Sequence, residues 1–409
     1  MSRVLISFLG TGRRRKDSQG QEHSLRRYED AKYRLDDVVY NGPFVSSAIC
    51  EHYDIDRVIM IGTPHSMWEE VYRWFSGHKS IPMDEEKYFE IAEYCDNANA
   101  SSELSIPHRD TIEKILGANS KIVLIRYGLT EEEQDENTKL ILEIEKALNT
   151  GDEIILDISH SFRSLPLMIM SLFMYIQEVS RKQVAISHIH YGMFEAKDSD
   201  GVAPIVEMNQ VLKINQTISG AYSFKEYGNA YRLADIVNEY DSSLAAKLRS
   251  FSNVLNFNHL SAMRNEVKNL SAVTSFGSDM SSKIIEQVVK EFISKLRGCK
   301  SNAEFQYRLA VWQYEHKNYS SSLISLVEAI VTYVCENNGG DWLSKDGRDM
   351  AKDKLQKGLV SKKLKESYIK LRKMRNSIAH SSESYNTASK MLTALKEGIE
   401  NLEKLITSE

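Results

Sequence analysis

The apolar positions of this chain follow two different periods. In the first half they come as short, nearly continuous runs: Val4–Leu9, Arg57–Ile61, Lys121–Tyr127, Glu153–Asp157, Val184–Tyr191 and Pro204–Met208. Runs that are apolar on both faces predict strands covered on both sides by other elements. The first four end on small or polar residues (Gly10-Thr11-Gly12, Gly62-Thr63, Gly128 and Ile158-Ser159-His160-Ser161), and each leads towards a helical pattern. This alternation predicts a Rossmann-like α/β domain with a parallel-rich sheet. Ligands of such sheets bind outside the carboxyl ends of the strands, so the turns at 10–13, 62–66, 128–130 and 158–163 are expected along one rim.

After about residue 215 the strand period stops. Ser281–Leu296, Glu304–Tyr314, Ser320–Glu336, Leu364–Met374 and Thr387–Thr407 carry apolar residues at three-to-four spacing, and no proline follows Pro204. The expected organisation is therefore an α/β domain over residues 1–215 and an all-α region over 216–409. Residues 216–300 read as helices linking the two, and Asn337 to Asp341 reads as a loop.

Composition narrows the class. With 409 residues, 42% hydrophobic and 27% charged, the chain has the profile of a globular protein of two or three domains. Its formal net charge of −5 argues against a surface built for duplex DNA, while leaving room for a local basic groove. The four cysteines are far apart and form no C-x-x-C pair, as expected of reduced thiols. The apolar start is too short for a signal peptide, and the longest apolar run, Leu165 to Ile176, suits a buried helix better than a membrane span. A cytoplasmic location without membrane contact is expected.

Several constellations could carry chemistry. Gly10-Thr11-Gly12 matches the opening of a dinucleotide fingerprint, but position 15 is Arg where a third glycine would stand. The loop that follows, beginning at Arg13, is the most basic of the first half. It fits either an anion contact or a solvated loop. In Asp157-Ile158-Ser159-His160-Ser161-Phe162-Arg163, the hydroxyls and free amides fall at a helix start. Arg163 there opposes the helix dipole, a cost that a bound anion would offset. His188 and His190 share a strand face, but no further ligands are spaced to complete a metal site, and none is expected. Near the C-terminus, Arg375-Asn376 and His380 form an R-N-x-x-x-H string. Residues five apart on a straight helix differ by about 140° and would converge only at a helix end or kink. Such a pair can cut RNA, the histidine moving a proton and the guanidinium holding the phosphate. A basic amphipathic helix with an incidental histidine fits the spacing equally.

Taken together, these residues resemble the CARF–HEPN ribonucleases of type III CRISPR immunity. Arg375-Asn376-x-x-x-His380 is similar to the R-x(4–6)-H motif of that family, and Asp157-Ile158-Ser159-His160-Ser161 to the D-x-T-H-G signature of one branch of its sensory domains. The first strand with its G-T-G and the segment Ile61 to Trp68 fit the same branch. Ser159 stands where the signature has Thr, and Ser161 where it has Gly. The resemblance implies that residues 1–215 bind a cyclic oligoadenylate through Gly10, Thr11, Gly12, Arg13, Thr63, Ser159, His160, Ser161 and Arg163. Cyclic tetra-adenylate is the preferred ring. It further implies a homodimer, with higher assembly left open, in which an all-α HEPN domain cuts single-stranded RNA. Arg375, Asn376 and His380 would form the catalytic set, acting without a metal or other cofactor and leaving a 2′,3′-cyclic phosphate.

Two rivals share much of this picture. A ring nuclease would cleave the cyclic activator with Ser159, His160 and Arg163, and a ligand-gated dimer module would use Arg375 and His380 only structurally. A transcriptional regulator is disfavoured by the acidic charge and the absence of a helix-turn-helix pattern.

Overall fold

The computed structural model describes residues 2–12, 28–160, 165–379 and 387–406. The chain separates into two compact units, residues 1–212 and 213–409.

The first unit is built on one eight-stranded sheet. Its strands are β1 (Arg3–Leu9), β2 (Ala31–Leu35), β3 (Val38–Gly42), β4 (Arg57–Gly62), β5 (Lys121–Leu124), β6 (Glu153–Asp157), β7 (Ala185–Gly192) and β8 (Val202–Glu207), in the order β3-β2-β8-β7-β6-β1-β4-β5. The block from β5 to β7 is parallel throughout, β8 runs antiparallel to β7, and β2 and β3 form an antiparallel hairpin attached to β8. Alternate residues of the same strands feed two separate cores. Leu5, Leu9, Val58, Met60 and Ile155 pack on one face, while Val4, Ile6, Phe8, Ile59, Ile61, Ile154 and Leu156 pack on the other. That two-sided burial is why these strands read as continuous apolar runs and not as alternations.

The structure departs from the sequence expectation in two places. The hairpin β2–β3 was not expected. Its buried positions, Tyr33 and Leu35, alternate with charged Lys32 and Arg34, so it lacks the continuous run of a central strand. The strand expected over Lys121–Tyr127 ends at Leu124. Beyond it, the backbone of Arg126 is met by a side chain and not by another strand: its N–H donates to Asn137 Oδ1 at 2.7 Å, and its C=O accepts from Asn137 Nδ2 at 3.0 Å. Four residues earlier, Ile122 N–H donates to Glu113 Oε1 at 2.9 Å and its C=O accepts from Arg109 Nη2. The outward edge of β5 is thus closed by side chains. The sheet itself is parallel-rich as expected, with antiparallel pairing only at the β7–β8 and β2–β3 junctions among the described residues.

The second unit is helical among its described residues. Phe224, Phe251, Phe292 and Trp312 interlock edge-to-face or tilted at the centre of a core formed largely by residues 224–312. A second core gathers around the helix Tyr319–Glu336, with Lys345–Lys357, Lys362–Ala379 and Ala388–Ile406 packed about it. Asp241, Asp279, Ser301 and Ser344 each accept a backbone N–H of the first turn they cap, which fixes where these helices begin. No helix of the described residues is long and apolar enough to cross a membrane. All four cysteines are free and buried.

Candidate functional site

β1 lies between β6 and β4, and from it the strand order runs outward one way through β4 to β5 and the other way through β6 to β7, so the carboxyl ends of these parallel strands bound a crevice at the switch point. A cavity of about 390 Å³ occupies this point. Gly10, Thr11, Gly12, Thr63, Ser159 and His160 line it, with Phe8, Ile61 and Ile125 supplying an apolar floor.

The floor is tied down by polar groups that sit one layer deeper. Ser7 and Asp157 are register partners on β1 and β6, and both are fully buried. Ser7 Oγ donates to Asp157 Oδ2 at 2.8 Å, and the N–H of Ser159 donates to Asp157 Oδ1 at 2.9 Å. The Ser159 hydroxyl also donates to Asp157 and accepts the Gly192 N–H at 2.7 Å. A buried carboxylate needs such donors, since it would otherwise be too costly to desolvate. The result fixes the turn that presents Ser159 and His160.

The opposite wall is held in the same manner. Ser66 Oγ accepts the Thr63 N–H at 3.0 Å and donates to Leu9 O at 2.8 Å, so one hydroxyl joins the ends of β1 and β4. Trp68 Nε1 donates to Thr63 O at 2.8 Å, and Met67 N–H to Gly10 O at 3.1 Å. Gly12 stands at φ +66, where a Cβ would fall 2.6 Å from both Met67 Sδ and Tyr28 Cδ1. Only glycine fits this backbone and this approach.

His160 is the titratable group of the cavity wall. Its Nε2 accepts the Val45 N–H at 3.5 Å, and burial pushes the imidazole below its ordinary range against the opposing pull of Asp157. The ring is therefore neutral near pH 7. Behind this turn, His190 is 1% exposed, shares Nε2 with Tyr53 Oη at 3.1 Å and stacks against His188. Its pKa is likewise lowered, chiefly by burial. Among the described residues no cluster of His, Cys, Asp or Glu has the arrangement to hold a metal ion.

Of the residues expected to bind a ligand in this domain, Gly10, Thr11, Gly12, Thr63, Ser159 and His160 meet at this one cavity. Arg13, Ser161 and Arg163 lie outside the described residues. The turn at 128–130, expected on the same rim, does not line the cavity. Its Gly128 and Leu129 N–H groups instead donate to Glu133 Oε2, at the start of the helix Glu131–Leu142 that Thr130 caps. Ser7 was not anticipated, although it is the one polar residue within the apolar run of β1, and Ser66 was expected on the rim only as part of the turn at 62–66.

In the second unit Arg375 and Asn376 lie near the end of the helix Lys362–Ala379, and His380 lies outside the described residues. Arg375 Nη1 donates to Glu328 Oε1 at 3.3 Å, and its Nε and Nη2 face Asn376 Oδ1 at 3.4 and 3.3 Å. The other Glu328 oxygen accepts from Arg348 Nη2. One carboxylate thus bridges two guanidiniums. Both arginine side chains keep about a quarter to a third of their surface open, 24% for Arg348 and 32% for Arg375.

Comparison with known proteins agrees with this division. Residues 4–195 match the family model of the CARF domain of the CRISPR system endoribonuclease Csx1, and residues 213–300 match that of the second domain of the CRISPR-associated protein MJ1674. Both matches are to CRISPR-associated families, the first of them the CARF family that the sequence motifs resemble. The chain is also similar to the CRISPR-associated protein MJ1674 of Methanocaldococcus jannaschii, 33% identical over 407 residues that cover 93% of this chain. The chain spans 62% of that relative's length. Among solved structures, Enterococcus italicus Csm6 bound to cyclic hexa-2′-fluoro-hexa-dAMP aligns with a TM-score of 0.35 and 12% identity, covering 100% of this chain and 94% of that one.

Proposed function

We propose that this chain is a single-strand endoribonuclease switched on by a cyclic oligoadenylate, with residues 1–215 as sensor and 216–409 carrying a HEPN-like catalytic site. The observation that carries the reading is the cavity at the carboxyl ends of β1, β4 and β6 within a CARF domain. Its glycine and hydroxyl wall suits ribose and phosphate groups, and its apolar floor suits a base. Arg13, Ser161 and Arg163 would add to it. The preferred activator is cyclic tetra-adenylate, bound by a homodimer.

The chemistry would fall to Arg375, Asn376 and His380. His380 moves the proton as a ribose 2′-oxygen attacks the adjacent phosphorus and the P–O5′ bond breaks. The products are a 2′,3′-cyclic phosphate and a 5′-hydroxyl. Arg375 holds the phosphate charge and Asn376 positions it, so the step draws on side chains alone. Cleavage of the bound ring in the sensor is a second reading. It is favoured by the neutral His160 facing the cavity beside the anchored Ser159.

A fluorescent single-stranded RNA incubated with the protein in EDTA, with and without cyclic tetra- or hexa-adenylate, tests both readings. The expected result is activator-dependent cutting that disappears in His380→Ala and Arg375→Ala while the ring still binds. Tight ring binding with no RNA cutting by the unaltered protein would overturn the ribonuclease reading. Conversion of the ring itself would establish the second.

A further inference from the structure

The chain is acidic overall, yet residues 345–375 hold twelve Lys and Arg against four Asp and Glu, a net of +8 within a protein of −5. These residues form one helical hairpin, Lys345–Lys357 followed by Lys362–Ala379, and the two helices pack against each other. The junction near Arg375 shows how they are aligned. Arg348, near the start of the first helix, and Arg375, near the end of the second, meet on the same Glu328 carboxylate.

From that meeting point the helical repeat sets two rows of cations. On the first helix Lys345 and Lys352 lie one turn to either side of Arg348, on its face. On the second, Arg372 lies one turn before Arg375, over the ring of Tyr368 at 5.9 Å, and Lys365 lies two turns further back on the same stripe. Because the hairpin is antiparallel, Lys352 and Arg372 come level with each other one turn from the Arg348–Arg375 pair. Lys345, Lys365 and Lys373 have no acidic partner among the described residues, and Lys352 pairs only with the exposed Asp349 at 3.1 Å, a contact that a phosphate can replace. The single acidic group drawn into the junction is Glu328, and two guanidiniums share it, which leaves a net positive charge where they meet.

We infer that this hairpin is the docking surface for the RNA strand, with Arg348 as a second phosphate-binding guanidinium beside Arg375 and with Lys352 and Arg372 holding the neighbouring phosphates. The inference rests on the ribonuclease reading for the identity of the polyanion. Paired guanidiniums flanked by rows of cations suit a flexible single strand, whose successive phosphates can follow the helical repeat. Glu328 fixes both guanidiniums in place and gives way to a phosphate without leaving either buried.

The test measures RNA binding rather than cutting, so that it can fail independently. His380→Ala in the full-length protein is titrated with a labelled single-stranded RNA between 50 and 200 mM salt, alone and combined with Lys352→Ala/Arg372→Ala. Two lost phosphate contacts lower the salt slope by about 1.4, so the parent should lose roughly sevenfold more affinity than the variant across that range. Arg348→Ala should weaken binding, and Arg348→Lys should restore the salt slope but not the full affinity. An unchanged slope in the double variant would overturn this surface even if the enzyme cuts RNA. Binding with the predicted slope but no cutting by the unaltered protein would keep the surface and remove the ribonuclease reading. Unchanged binding in Lys32→Ala/Lys114→Ala, which removes two exposed cations of the first unit, controls for net charge, and an equal loss there would also overturn the assignment.

Discussion

Gly12→Ala examines the cavity wall most directly, because two separable costs meet there. The first is conformational: at φ +66 an alanine enters the left-handed region, which costs about 1–2 kcal/mol for an L residue. The second is steric. The new Cβ would lie 2.6 Å from both Met67 Sδ and the Tyr28 ring. Met67 can yield, but Tyr28 is 4% exposed and its hydroxyl donates to the buried Glu69 at 2.8 Å, so the ring cannot swing away cheaply. Crowding of this kind costs about 1–3 kcal/mol, giving a total of about 2–5 kcal/mol. Gly201 supplies the control: its φ is +75, yet nothing lies within 4 Å of its would-be Cβ. Gly201→Ala should therefore show the conformational cost alone. Hydrogen exchange of the β1 and β4 amides reports the stability of the first unit without interference from the second. The Gly12 variant should lose about 1–3 kcal/mol more protection than the Gly201 variant. Equal losses would refute the close approach of the Gly12 backbone to Met67 and Tyr28, and with it the described shape of the wall.

Other perturbations probe other parts of the architecture. His160 and His190 are neutral in the fold with lowered pKa, while the unfolded chain takes up their protons below about pH 6.5. Their contribution is thus complete above that pH and is lost as the pH falls, by at most about 1.4 kcal/mol per pH unit for each. A first unit whose stability is flat between pH 7 and 5 would contradict this. Asp152→Ala strands Arg57, whose side chain is 7% exposed, and takes an acceptor from the Asn149 N–H, so a loss of about 3–5 kcal/mol is expected in urea unfolding. Replacing the pair together by Arg57→Met/Asp152→Leu should recover most of that loss. Glu328→Ala should cost about 1–3 kcal/mol, between the values for exposed and buried pairs, since its two partners are part-exposed. If the ribonuclease reading holds, it should also reduce the rate of cutting, read from single-turnover kinetics.

What could be read before the structure depended on how local each signal was. β1, β4 and β6 were legible because burial on both faces removes every polar position except one or two, and those exceptions, Ser7 and Asp157, anchor the cavity floor. The hairpin at 31–42 was not legible, because charges at alternate positions resemble a loop when the strand has only one buried face. Ser66 could be placed on a rim but not assigned a role, and Ile125 read only as part of a strand, since their partners come from other strands. Arg375 was visible as part of a short string, whereas Glu328 and Arg348 were not. Glu328 stands 47 residues from Arg375 and 20 from Arg348, and no sequence period connects them.

The closed edge of β5 has a consequence for assembly. An open strand edge is a template on which another chain can extend the sheet, and proteins guard against that with charged or covering groups. Here Arg109, Glu113 and Asn137 already satisfy the outward backbone groups of Ile122 and Arg126, so a second copy would have to break four side-chain hydrogen bonds before pairing there. Growth of the sheet from this end is therefore self-terminating. The opposite end is less guarded, because β3 presents Val38 and Val39 with about half of each residue open to solvent. A destabilised first unit should thus aggregate through the hairpin, and a charge placed at Val39 should suppress it.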